Sequence, residues 1–245
     1  MTIESFLCAK DGSPGPCGDR LVDTPHFKAV IDGATPKGQL LWEGKRGDVF
    51  VAEIIAKAIE SLDPKIDAPR ALEEINLAIR RAYTRHGREY RLLPPEERLQ
   101  ASLLLYSAAR KEVWCFGDCM LRINDQEYRH PKKGDQMLAD LRAFCLEAAR
   151  LAGSDPDPQG KDLGREQILP FLRSYPLFAN SDASFGYDVL NGGPIRPQHA
   201  AVYPLRPGDR VILSSDGYPR LFETLEETEN HLKEALGRDP ACTGE

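Results

Sequence analysis

Residues 209–222 read DRVILSSDGYPRLF. Val211, Ile212 and Leu213 are strand formers, two serines end the run, and an Asp-Gly pair follows at once. A turn needs only the glycine. An aspartate delivered to a strand end beside it suits a cation as well. Two other stretches share the design. VIDGAT (30–35) ends an apolar strand in Asp32-Gly33, and CFGDCM (115–120) ends one in Gly117-Asp118. Asp19 lies in the loop just ahead of the strand that reaches Asp32.

Any one Asp-Gly pair is an ordinary strand-ending turn. The combination says more. Carboxylates gathered at one sheet end repel one another and resist ionising together, and divalent cations remove that penalty. Oxygen donors without a neighbouring His or Cys suit Mg²⁺ or Mn²⁺ rather than zinc. Glycine after the aspartate lets the backbone carbonyl approach an ion or a water.

Composition narrows the field. The chain has 245 residues, 41% hydrophobic and 29% charged, as in an ordinary soluble domain with a buried core. A net charge of −6 argues against nucleic acid as a partner. No stretch approaches the ~18 apolar residues of a membrane span, and the N-terminus lacks a secretory signal pattern. Cys8, Cys17, Cys115, Cys119, Cys145 and Cys242 form no C-x-x-C pair. Reduced thiols and a cytoplasmic location are expected.

Short strands are expected over 3–9 and 27–31, either side of the loop KDGSPGPCGDR. Val51, Ile54, Ile55, Ala58, Ile59 and Leu62 recur at helical spacing, and a second helix is expected over about 71–86. The stretch 101–130 reads as strands with hairpin-style breaks at 110–112, 117–118 and 124–125. A third helix follows. Strands return at HAAVYPL and RVILSS, joined by the turn 206–209, and a last helix spans roughly 225–236. No repeat or linker divides the chain, so one domain over 1–245 is expected.

In order and spacing, these motifs resemble the metal-dependent type 2C serine/threonine protein phosphatases. The loop acid Asp19 comes first, then VIDG, two helices, VWCFGDCMLRI and VILSSDG. The resemblance covers nearly the whole chain. It implies an α+β fold, a four-layer αββα sandwich with two central antiparallel sheets flanked by helix pairs. It also implies two Mn²⁺ or Mg²⁺ ions at one edge. Asp32 would bridge them, and Asp19 and the Gly33 carbonyl would complete one ion's protein ligands. Asp216 would hold the other, and Asp118 with Asp216 a third, weaker one. Asp32 and Asp216 are thus the expected catalytic residues. Two ions ~4 Å apart lower the pKa of a water between them, so no protein nucleophile is needed. The implied partner is a phosphorylated protein or a small phosphoester.

Three positions depart from the family pattern. Ala34 stands where the family has a His that protonates the leaving group. SPGPCG stands where its phosphate-binding Arg lies, with Lys10, Arg20 and Lys37 as substitutes. DPACTGE ends the sequence before the family's last Asp-bearing strand, so a domain lacking that strand is expected. These departures support an alternative, a catalytically weakened sensor or scaffold on the same fold. A third reading, an N-terminal-nucleophile hydrolase using Thr2, needs no acidic cluster. DPDPQGKDLGRE (155–166) approaches a calcium-binding EF-hand loop, with Asp155, Asp157, Gln159, Gly160 and Glu166 at ligand and turn positions. Gln159, two prolines and Asp162 at a position normally apolar favour a solvated polar loop.

Overall fold

The structure, a computed structural model, describes residues 4–9, 17–154 and 161–244. Thr2, Lys10 and the loop residues Asp155, Asp157, Gln159 and Gly160 lie outside the described residues. The fold is α+β, with two antiparallel sheets and five α-helices.

The larger sheet contains β1 (Asp19–Asp23), β2 (Phe27–Gly33), β3 (Ala101–Ser107), β4 (Glu112–Phe116) and β7 (Ala201–Pro204), in the order β1-β2-β3-β4-β7. The smaller contains β5 (Met120–Ile123), β6 (Gln126–Tyr128) and β8 (Val211–Ser214), in the order β6-β5-β8. The central strands of the larger sheet are apolar on both faces, and their period of two sorts the side chains. Phe27, Ala29, Ile31, Leu103, Leu105, Trp114 and Phe116 point to the helices. Val30, Leu104, Val113 and Cys115 point to the other sheet and meet Leu121, Val211 and Leu213.

The helix pair α1 (Gly47–Glu60) and α2 (Ala68–Arg85) covers the first of these faces. Val51, Ala52, Ile55 and Ile59 of α1 meet Ala71, Leu72, Ile75, Ile79 and Tyr83 of α2 in that core. Asp67 caps α2, its side chain accepting from the Arg70 N–H. Across the smaller sheet, Arg122 donates to the Leu221 carbonyl, so the segment leading into α5 (Leu225–Arg238) lies against the outer face. Thr224 and Glu227 start α5 with a capping box. The helices α3 (Lys133–Leu151) and α4 (Leu163–Ser174) pack on each other, and Gly164 allows the approach. A Cβ there would lie 2.7 Å from the Arg142 carbonyl.

The structure corrects the sequence reading in two places. Residues 4–9 form no strand, and β1 begins at Asp19. The break at Gly117-Asp118 is not a hairpin: β4 belongs to the larger sheet and β5 to the smaller, so the chain changes sheets there. The turn 206–209 stands between β7 and β8 as expected, and the chain changes sheets there too. The other two breaks are hairpins, and the tight one sets Asn124 at φ 53°. Within the EF-hand-like stretch, Asp162 caps α4 and pairs with Arg142, and Glu166 falls in the first turn of that helix.

Buried Asn76 on α2 ties the helix layer to the loop after residue 190. Its Oδ1 accepts from the Asn191 and Gly192 N–H groups, and its Nδ2 donates to the Gly193 carbonyl. Asn76→Ala leaves the Asn191 and Gly192 N–H groups unpaired in a buried site, while the Gly193 carbonyl keeps its bond from Arg80. The expected loss is about 2–3 kcal/mol, read as a lower urea midpoint.

Candidate metal centre

Strand register assembles the acids. In the larger sheet Asp19 pairs with Asp32, and Asp32 with Ser102. Leu103 pairs with Phe116, so Ser102 faces Gly117 in the next step. At Gly117 the chain crosses to the smaller sheet. There Met120 pairs with Ser214, and two residues further along both strands Asp118 comes opposite Asp216. One row across two sheet ends thus carries Asp19, Asp32, Ser102, Asp118 and Asp216. Asp32, Asp118 and Asp216 each place a carboxylate oxygen within 4.8 Å of the others. Asp118 is buried, Asp32 half-buried and Asp216 exposed, so the cluster opens to solvent at Asp216.

The two glycines of the row are needed for space. Gly117 has φ +105°, and a Cβ there would lie 2.3 Å from the Ser102 Oγ. At Gly33 a Cβ would lie 2.5 Å from the Asp48 carbonyl oxygen and 2.6 Å from that of Gly18. Gly33 therefore lets the start of α1 press against β2. The Gly33 N–H donates to the Gly18 carbonyl at 3.2 Å, fastening the loop that leads to Asp19. Asp48 is buried beside it and is held by Arg46 at 2.6 Å.

Electrostatics set Asp32 apart. Burial pushes its carboxyl well above the ordinary range, and Asp216, Asp19 and Asp118 push it in the same direction. Asp118 goes the other way. Burial alone would raise it, but Lys132 pulls it down, helped by the Ser102 hydroxyl. The Lys132 Nζ lies 2.6 Å from the Asp118 Oδ2, and the Ser102 Oγ donates to Oδ1 at 2.5 Å. Burial also raises the Asp135 carboxyl, with Asp118 and Asp216 adding to it against Lys132.

Sequence reasoning missed Lys132, Ser102 and Asp135. Lys132 is 14 residues from Asp118 and shares no motif with it. Ser102 carried a signal only through register, as the partner of Asp32. The proposed stand-ins for a phosphate-binding arginine have other partners. Arg20 donates to Glu53 at 2.8 Å, and the Lys37 Nζ donates to the Thr35 carbonyl at 2.7 Å.

The donor set fits a hard divalent ion. Three converging carboxylates offer oxygen only, and their mutual repulsion is what such an ion relieves. Cys115 and Cys119 lie close by, but burial pushes Cys115 up to about 12 and Cys119 well above its ordinary value.

No family model and no curated protein matches the chain. Solved structures do. The catalytic domain of the serine/threonine protein phosphatase PstP, in complex with two manganese ions, is 16% identical at a TM-score of 0.46, over 92% of this chain and 84% of that one. RsbX in complex with magnesium is 10% identical at a TM-score of 0.38, over 88% and 91%. The PP2C phosphatase domain of SpoIIE from Bacillus subtilis, solved with a fragment of its regulatory domain, is 14% identical at 0.44, over 94% and 55%.

Because the folded state raises the Asp32 carboxyl, its contribution to stability is complete below the ordinary carboxylate pKa. That contribution is lost as pH rises through the folded value. At neutral pH in EDTA, Asp32→Asn is expected to unfold at higher urea than the wild type. The gap should close on acidification toward the ordinary carboxylate range, and the same variant should lose Mn²⁺ binding by calorimetry.

Proposed function

We propose that the chain is a metal-dependent phosphoester hydrolase that acts on phosphorylated protein through a metal-activated water. The observation that carries this reading is the convergence of Asp32, Asp118 and Asp216 from three chain segments at one sheet edge. Asp19, paired with Asp32 in register, and the Gly33 carbonyl would join Asp32 and Asp216 in holding two ions. Mn²⁺ or Mg²⁺ held there would lower the pKa of a water and neutralise phosphoryl charge. Asp32 and Asp216 would act by holding the ions, and the opening at Asp216 would give the phosphoryl group its approach from solvent.

Ala34 bears on substrate choice. Its N–H donates to the Gln100 carbonyl at 2.9 Å, and the residue is exposed at the edge of the row. A methyl group offers no proton to a departing alkoxide, so esters of acidic alcohols should react faster than phosphoserine or phosphothreonine. The same feature favours the second reading, a weakened phosphatase fold that binds metal and serves as a sensor.

Hydrolysis of p-nitrophenyl phosphate is expected to need Mn²⁺ or Mg²⁺, to stop in EDTA and to be abolished by Asp216→Ala. Metal binding by calorimetry without turnover would favour the sensor. Ala34→His should raise turnover of a phosphothreonine peptide by up to about 10²-fold and leave p-nitrophenyl phosphate nearly unchanged. An equal gain on both substrates would refute the leaving-group argument.

A further inference from the structure

Both oxygens of Asp118 are already taken by the chain's own donors, Oδ2 by Lys132 and Oδ1 by Ser102. The Lys132 and Asp118 side chains are 16% and 7% exposed, so the pair lies beneath the cluster rather than at its rim. The ammonium also lies over the Tyr187 ring, 5.2 Å from its centre. From the acids alone, a cation at this place would be a metal ion. Here it is an amine on the chain.

We propose that Lys132 is a resident cation that takes the place of a third divalent ion at Asp118, leaving a centre that binds two. The inference rests on the metal-centre reading above. Charge balance supports it. Asp19, Asp32, Asp118, Asp135 and Asp216 bring five negative charges when ionised, which two divalent ions and one ammonium match. Three divalent ions beside the lysine would leave an excess of two positive charges.

Local structure supports it independently. Lys132 is the N-cap residue of α3, and its side chain makes no cap bond. Asn, Asp, Ser and Thr favour that position, and a cation opposes the positive end of the helix dipole. A residue so poorly suited to starting a helix stands where its ammonium reaches Asp118. Asp135, in the first turn of α3, supplies the acid that suits this helix end.

The test is a count of bound Mn²⁺ per chain, by equilibrium dialysis against excess Mn²⁺ and elemental analysis. It compares the wild type with Lys132→Met and Lys132→Arg. The wild type and Lys132→Arg are expected to hold two ions, and Lys132→Met three. Dialysis in Mn²⁺ throughout keeps Lys132→Met measurable even where it unfolds in EDTA. A wild type that holds three ions, or a Lys132→Met that gains none, overturns the proposal and leaves the metal centre standing. A wild type that binds no ion overturns the metal centre itself, and this role with it.

Discussion

The antiparallel register of β2 is the constraint on which the site depends. A slip of one residue in a strand sends every side chain to the opposite face. In β2 such a slip would turn Phe27, Ala29 and Ile31 out of the helix-side core and Asp32 into it. Both faces of this strand are buried, so hydrophobic packing fixes its register from two sides. Asp32 inherits that precision from its strand. Asp19 and Ser102, its partners on either side, inherit it in turn. The crossing at Gly117-Asp118 carries the same row into the second sheet. A site assembled in this way needs no long loop to bring its acids together.

Such an arrangement costs stability locally and draws on packing elsewhere. Several carboxylates share the end of a gap between sheets, one ammonium offsets part of their charge, and Asp32 stays hard to ionise. The opposing core lies on the far face of the larger sheet. There Trp42 stacks on Phe50 at 5.5 Å and meets Tyr83 edge-on at 5.3 Å, in the core beneath α1 and α2. The sheet is thus held from its helix side, and the end of its other face can carry unfavourable charge.

Asp32, Asp118 and Asp216 were legible in the sequence because each follows or precedes a glycine at the end of an apolar run, whereas Asp19 was legible through its place in the order of motifs. Periodicity is strong over 51–62, 71–86 and 101–123, and the helices and strands there lie close to where it placed them. Residues 4–9 have the composition of a strand but no partner strand, and composition alone cannot supply one. The Gly117-Asp118 crossing looked like a hairpin because a glycine break between two apolar runs reads alike in both cases. Only the pairing of β5 with β8 separates them. Lys132 was invisible for a different reason. A lysine ahead of a helix reads as a solvated residue, and its burial depends on the fold of segments far away in sequence, Asp118 and Tyr187 among them.

On the proposed function, ion binding and bond cleavage would have separate structural origins. The acids are positioned by backbone pairing shared across the larger sheet and the β5–β8 pair, so any chain that folds this way brings them together. Position 34 is fixed by its own backbone bond to Gln100, and no packing dictates its exposed side chain. The proton donor for a leaving group can therefore change by one substitution while the ion site stays intact. Lys132 follows the same logic beneath the cluster, where one side chain changes the charge to be balanced without moving a strand. The backbone sets where the acids sit. On the proposed reading, single side chains at positions 34 and 132 would then set which phosphoesters are cleaved and how many ions are held.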